Sequence, residues 1–450
     1  MSELAELAGQ AVERALTVGA GSAEAYVADA THREVRVHGG EVESLTAAGQ
    51  RGVGVRAWIG GRVGYGFGTD LSPAGVEAIA GRATAAASVA DEDRFAGPAG
   101  PGTPASLDNL SDPSLAGWPA SRVVELALAV ERAALDADQR VVGVEQAVYF
   151  DSSERIAIAS STGAGGEYER SSCYAYAQAL AEGDGGRETG LGFGLARGPA
   201  GLDPGEIGRE AATRAAQMTG SGKPRSQVCP VVLDATVAAS FVGLLGLALS
   251  AAAVQRGRSP LAGRLGEVVA SEAFVLRDDG LAPDGFASAP IDAEGTPRRR
   301  TPLVEDGRLQ AYLHDAYTAR RGETASTGNS GRSGYRVPPS VAASNLIVSP
   351  GTASLEELLG AAGDGVLIHD VAGLHSGVNQ VTGVFSVGAS GLAIRGGETA
   401  EPLREFTIAS DLVSMLRAVR AAGAEPRWVP FGGSVSAPPL LIGEMTVGGS

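Results

Sequence analysis

Five histidines, His32, His38, His314, His369 and His375, have the widest chemical scope in this chain, because imidazole titrates near neutral pH and is the commonest metal ligand. Two of them stand six positions apart in LIHDVAGLHSGVNQVTG, residues 367–383, with Asp370 beside the first. A zinc peptidase usually sets two histidines on one helix with a glutamate next to the first, so that the metal acidifies a water and the carboxylate takes its proton. No HExxH or HExxxH occurs here, and glycine separates His369 from His375 without an accompanying glutamate. Their spacing defines no helical face; tying down a turn or facing a shared cleft is the better reading. Asp278-Asp279 and Asp292 with Glu294 form possible carboxylate pairs, but such acids in turn sequences are expected to be solvated. GSGKP at 220–224 fails as a phosphate loop, since Gln217 replaces the first glycine and Pro224 the magnesium-binding Ser or Thr. No GxSxG elbow for serine catalysis is present.

The elements that would position these residues fall into two regions. The fold expected is α+β, with an N-terminal region at 1–220 of two related helix-strand-helix units and a connection near 91–117. Helical spacing at Leu4, Leu7, Ala8, Val12 and Ala15 opens the first unit. Its strands follow, then GVGVRAWIGGRVGYGFG, where Gly60-Gly61 suits a tight hairpin rather than a nucleotide loop. The second unit begins with a helix near 119–138 and closes on TGLGFGLARG. Both units end in similar helices, LSPAGVEAIAGRATAAAS and LDPGEIGREAATRAAQM, with Ser72 or Asp203 as N-cap and Pro73 or Pro204 in the first helical position. The segment DEDRFAGPAGPGTPASLDNLSDPSLAG between them has the composition of an exposed connection. From 221 to 450, glycine-punctuated short strands predict a β-rich domain with a curved or barrel-like sheet, interrupted by helices near 236–253, 354–362 and 410–422.

Composition narrows the function classes. A formal net charge of −16 opposes non-specific attraction to nucleic acid or an anionic membrane. Lys223 is the only lysine among 36 basic residues, a bias that carries no functional weight. Cys173 and Cys229 are too few for a disulfide framework, and MSELAELAGQAVERAL is an acidic amphipathic helix rather than a signal sequence, so a cytoplasmic location is expected.

Several segments together resemble the TldD/TldE family, also called PmbA or modulator of DNA gyrase, and specifically its TldE branch. They are VVLDATVAASFVGLLGLALSAAAVQRGRSPLAGRLGE, PIDAEGTPRRRTPLVEDGRLQAYLHDAYTARR with STGN, GLHSGVNQVTGVFSVGASGLAIRGGE with EFTIASDL, and PPLLIGEMTVGG. The resemblance implies a zinc peptidase built from two related chains, in which a TldD-type subunit carries HExxxH and a later cysteine ligand, and a TldE-type subunit has the same fold without the metal site. Here Val237 to Val254 contains no histidine, acid or cysteine, and the C-terminal GGSVSAPPLLIGEMTVGG has no cysteine. His314 stands where the family is usually apolar and is an unlikely ligand. The resemblance therefore implies a chain with no catalytic residue, cofactor or metal of its own, whose zinc sits in a TldD-like partner subunit. Unfolded or modified peptides would be the substrate, and a homodimer is possible in isolation. Arg320, Asn329, His375, Asn379 and Thr382, polar side chains in glycine-rich loops, are the candidate substrate or partner cleft. The alternative is a regulatory binding protein acting on gyrase or a related assembly without proteolysis.

Overall fold

The computed structural model describes residues 2–183, 185–429 and 433–449; Gly432, at the head of the C-terminal segment quoted above, lies outside the described residues. Helix α1 (Glu3–Thr17) is capped by Ser2, whose Oγ accepts from the Ala5 N–H, and buries Leu4, Leu7, Ala8, Ala11, Val12 and Ala15 on one stripe. Strands β1 (Ser22–His38), β2 (Glu41–Ile59) and β3 (Arg62–Gly68) follow, then α2 (Pro73–Val89) and α3 (Ala120–Ala137). Strands β4 (Val141–Ser160), β5 (Gly165–Gly183) and β6 (Gly186–Ala196) lead to α4 (Pro204–Gln217). The six strands make one antiparallel sheet in the order β3-β2-β1-β4-β5-β6, so the two expected units are mirrored halves joined by β1 and β4. Ser72 and Asp203 cap α2 and α4, each with its proline at the start of the helix.

The glycines of the closing strands explain why each half ends alike. A Cβ on Gly64 would meet the Ala83 carbonyl oxygen at 2.0 Å, and one on Gly192 would meet that of Ile207 at 2.1 Å. Strand and helix backbones therefore touch directly, which only glycine permits. Along β5, Cys173, Ala175, Ala177, Ala179 and Ala181 are buried beneath the helices, while Tyr174, Tyr176 and Gln178 point to the other face and are half-buried. That alternation leaves one face of the sheet for the C-terminal domain.

In that domain, β7 (Gln227–Leu233) feeds α5 (Ala235–Ala248). Strand β7 joins Gly365–Ala372, Val384–Arg395, Glu398–Asp411 and Leu440–Gly448 in a closed five-stranded barrel, sealed where Thr407 to Ala409 pair with Gly448 to Thr446. The expected barrel-like sheet is present. A second sheet includes Leu276–Asp279, Arg300–Glu305, Asn345–Val348 and Ser434–Ala437. Helix α5 is buried in the core the two sheets share, with Phe241 against Phe385 at 5.0 Å between ring centroids. Leu247 of α5 is 55% exposed, so part of its apolar surface is uncovered.

The connection after α2 is mostly exposed or half-buried but tied down at its start. Arg320 donates to the carbonyls of Phe95 at 2.6 Å, Gly97 at 2.6 Å and Pro98 at 3.1 Å, and the Tyr317 hydroxyl donates to Asp93 at 2.8 Å. Three carbonyls on one guanidinium strap this segment to the C-terminal domain. Among the described residues, no helix is long and apolar enough to cross a membrane.

Candidate functional site

The acids expected to be solvated are deeply buried, as Glu24 and Glu131 are. Asp278 is 1% exposed, Asp279 2%, Asp292 0% and Glu294 1%. The cations that compensate Glu294 and the side chains that donate to Asp278 come from far along the chain, which is why local sequence did not reveal the burial. The Arg56 guanidinium on β2 lies between Glu24 on β1, at 2.5 Å, and Glu294 of the C-terminal domain, at 2.9 Å. Arg332 also donates to Glu24, and its guanidinium lies 4.7 Å from the centre of the Tyr26 ring. Four charges of alternating sign thus bridge the sheet face and the second domain.

Burial opposes ionisation of Glu294, but Arg56 and the Ala316 backbone N–H outweigh it and hold that carboxyl below its ordinary value. Asp292 behaves oppositely. Burial, reinforced by the charge of Glu294, pushes it up to about 7 despite N–H donors from Glu294, Thr296 and Ser330. Asp278 is raised by burial, although Ser344 and Asn329 donate to it at 2.6 and 2.7 Å. Neighbouring carboxyls whose environments push their affinities for protons apart are a frequent feature of functional sites, and also of structural ion networks.

This cluster backs onto a cavity of about 700 Å³ between the open sheet face and the C-terminal domain. Tyr26, Glu154, Tyr168 and Arg170 line it from the sheet, facing Arg298, Ser330, Arg332 and Tyr335. Gly52 and Gly54 seat the Tyr335 of that wall: a Cβ at Gly52 would meet the Tyr335 ring at 2.4 Å, and one at Gly54 the Tyr335 carbonyl oxygen at 2.4 Å. The glycines read from sequence as hairpin punctuation thus also make room for a tyrosine of the other domain. The cavity lies in the size range of ligand pockets.

A second polar group marks the start of α5. Asp234 caps the helix through its Oδ1, which accepts from Val237 N–H at 2.8 Å, while its Oδ2 lies 3.1 Å from Arg214 Nη2 and 3.4 Å from His369 Nδ1. Burial works against the Asp234 carboxylate, but His369 and Arg214 outweigh it and lower its pKa. Arg214 also contacts Glu210 at 3.2 Å, and Glu210 pairs with Arg427, so the chain of charges runs from α4 to the strand Arg427–Val429 at the edge of the second sheet. These residues do not fit a zinc ion. Zinc needs at least three N, S or O donors, yet here a guanidinium holds the carboxylate that faces His369, and α5 itself offers only aliphatic, aromatic, hydroxyl and glycine positions. Among the described residues no three His, Cys, Asp or Glu side chains are grouped closely enough to hold a metal.

The five residues taken from sequence as a cleft serve different local roles. Arg320 straps the connection. Asn329, 1% exposed, donates from Nδ2 to Asp278, while its Oδ1 is buried without a partner. His375 is exposed in a turn where the Gly377 N–H donates to the Gly373 carbonyl at 2.7 Å. Asn379 is exposed and folds its own turn, its Oδ1 accepting from Val381 and Thr382 N–H at 3.0 and 3.1 Å. Thr382 Oγ1 accepts from Val384 N–H at 3.4 Å. Only Asn329 joins the buried acid cluster. His369 and His375 do not share partners: His369 turns to Asp234 where strand pairing slips between Ile368 and Asp370, the kind of irregularity that re-aims a side chain. The residues that sequence reasoning missed, Arg56, Glu24, Arg298, Ser330 and Arg332, had one available signal, a basic residue inside an otherwise apolar strand, GVGVRAW.

Comparison with known proteins agrees along nearly the whole chain. Residues 23–87, 113–219 and 226–449 match, in turn, the models for domain 1, the central domain and the C-terminal domain of the PmbA/TldA metallopeptidases. Metalloprotease PmbA of Escherichia coli O157:H7 is 27% identical over 98% of this chain and 96% of its own length. A Thermotoga maritima protein named for a link to DNA gyrase has a crystal structure that superposes with a TM-score of 0.90 at 26% identity, covering 98% of this chain and 99% of that one. TldE from Thermococcus kodakarensis shares the fold with a TM-score of 0.92 at 21% identity, covering 98% and 100%. With the helix, barrel and two-unit sheet all accounted for, the chain belongs to the PmbA/TldD/TldE metallopeptidase family.

Proposed function

We propose that this chain is the non-catalytic subunit of a two-chain zinc peptidase, completing the substrate chamber of a TldD-like partner that bears HExxxH. The observation that carries the reading is the α5 environment: a helix without ligand or base side chains, whose capping acid, Asp234, is held by Arg214 and faces His369. The partner would supply zinc, its activated water and the base. This chain would supply the cavity between its sheet and C-terminal domain, with strand edges along which an unfolded peptide pairs by its backbone. Backbone pairing gives affinity with little side-chain selectivity, and an enclosed chamber spares folded proteins. A cytoplasmic setting suits such a peptide-processing complex.

The test is purification of the chain alone and together with an HExxxH-bearing relative from the same genome. The proposal expects a stable heteromeric complex that cleaves unfolded peptide. Cleavage by the lone chain would overturn it. The gyrase-regulator alternative has no comparable support in the structure; it would gain ground if this chain captured gyrase with the peptidase partner deleted.

A further inference from the structure

Strand β2 runs well past the strand that covers it. Strand β3 pairs only with Val53 to Ile59, whereas β2 begins at Glu41, and the sheet order places no other strand on that side. Every residue from Glu41 to Gln50 is exposed, including Val42 at 44% and Leu45 at 46%. Ile59 and Arg62 close the Gly60-Gly61 turn, so Ile59 and each second residue before it direct their N–H and C=O toward the β3 side. Past Val53 the alternation continues through Arg51, Gly49, Ala47 and Leu45, and among the described residues no backbone partner receives them. The run from Ser44 to Gln50, SLTAAGQ, carries neither proline nor charge, two of the devices that keep edge strands from pairing. The bulge at Glu43, opposite Arg36, lies outside it.

The pattern of this edge matches itself. The free stretch runs from Glu41, just after the Gly39-Gly40 turn, to Arg51, just before the β3-paired segment, and Thr46 is its midpoint. A second copy laid antiparallel about Thr46 uses the whole stretch; moving the centre either way shortens the pairing or runs it into the turn or into β3. In this register Leu45 of each copy lies opposite Ala47 of the other, and both are outward residues, so they exchange main-chain hydrogen bonds in both directions. Charge agrees with the register. Glu41 and Glu43 at one end meet Arg51 of the second copy, and no like charges are opposed. Arg51 holds Glu3 of its own chain at 2.7 Å, yet its side chain is still 39% exposed. We propose that the β2 edge is a self-association surface through which two copies of this chain join their sheets, antiparallel about Thr46. The two-fold axis stands perpendicular to the sheet and leaves both cavity faces on one side. Gln50 is exposed and also lines the cavity, so the cavity reaches this edge and the second copy's strand extends its wall. This goes beyond the two-chain peptidase reading and does not depend on it.

The experiment uses the full-length chain, whose native Cys173 and Cys229 are buried. In the proposed register Thr46 faces its own counterpart as a non-hydrogen-bonded pair, with Cα atoms about 4.5 Å apart and within disulfide reach. Thr46→Cys should therefore give a disulfide-linked dimer under mild oxidation, read on non-reducing gels. Ser44→Cys or Ala48→Cys alone should not, since each lies roughly 13 Å from its counterpart. An equimolar mixture of those two variants should cross-link, because Ser44 faces Ala48 of the second copy. Ala47→Pro removes an outward N–H and blocks the edge without touching the bonds to β1. In sedimentation velocity it should weaken the concentration-dependent dimer of the native chain at least about tenfold, the factor for losing main-chain hydrogen bonds at the centre of the pairing, with an unaltered thermal melt. If Ala47→Pro fails to fold, the cysteine pattern decides. A native chain that stays monomeric at every concentration, or Thr46→Cys that cross-links no better than Ser44→Cys, would overturn the surface while leaving the two-chain peptidase reading standing. Cross-linking of Thr46→Cys only after an HExxxH-bearing relative is added would overturn it in favour of an unlike partner chain. A monomer whose Thr46→Cys thiol is shielded from alkylation by an extended Ala/Ser peptide would overturn it in favour of a peptide edge.

Discussion

Replacing Arg56 by methionine removes the cation that serves two buried carboxylates in different domains. Glu24 keeps Arg332, but Glu294 keeps only the Ala316 N–H at 2.9 Å and lies beside Asp292. Side-chain exposure is 11% at Arg56 and 2% at Glu294, so water does not substitute for the lost partner. Breaking a buried pair from one side costs about 3–5 kcal/mol, most of it the uncompensated charge left behind. The pH dependence follows from the sign of the Glu294 shift. In the native chain its pKa is lowered, so its contribution is present above the ordinary glutamate range and is lost as pH falls through the folded value. Without Arg56 burial dominates and the carboxyl is raised. That variant then loses stability as pH climbs above the ordinary range. The gap between native chain and Arg56→Met in urea unfolding should therefore widen from pH 5 to pH 8, and adding Glu294→Gln should recover most of it. A cost below about 1 kcal/mol, a gap independent of pH, or no recovery in the double variant would refute the assignment of this cluster as a buried interdomain bridge.

Other consequences follow from the same geometry. Asp292, raised to about 7, destabilises the fold as pH rises from the ordinary aspartate range through that value, because the folded state then holds a proton the unfolded state has released; Asp292→Asn should flatten this slope in a pH series of urea midpoints. Gly192→Ala should cost about 2 kcal/mol or more in thermal or urea unfolding, since its Cβ would overlap the Ile207 carbonyl. Gly81→Ala, in α2 with nothing within 4 Å of the added Cβ, should instead gain about 0.5–1 kcal/mol. Arg214→Ala should leave the buried Asp234 carboxylate with His369 and the Val237 N–H but no guanidinium and cost about 3 kcal/mol, read as faster amide exchange at the start of α5.

What the sequence disclosed and what it withheld divide along the range of the interactions involved. Caps and turns are local, so Ser72-Pro73, Asp203-Pro204 and the Gly60-Gly61 hairpin could be read directly, while the strand pattern of the second half suggested a barrel-like sheet but fitted an ordinary mixed sheet as well. The fate of Asp292 and Glu294 could not, because whether adjacent acids are solvated depends on Arg56 and Arg332, placed by folding of another domain and a distant loop. The glycines of β2 carried two messages, and only the local one was visible; Tyr335 supplies the other from the C-terminal domain. Arg320, chosen from sequence as a cleft residue, shows the same limit: polarity in a glycine-rich setting marks a side chain that will make directional bonds, and folding directs three of them to the protein's own carbonyls while the residue also lines a cavity beside Arg56 and Glu294.

The central claim is that chemistry belongs to the partner and this chain only shapes the chamber. The most direct measurement is zinc content and peptide cleavage for the lone chain, for the reconstituted pair, and for a pair whose partner carries Gln in place of the HExxxH glutamate. The account predicts no stoichiometric zinc or cleavage in the lone chain, both in the pair, and loss of cleavage with the partner's glutamate removed, while His369→Ala in this chain leaves the zinc of the pair in place. Zinc bound one-to-one by the lone chain, or cleavage that survives the partner substitution, would contradict it.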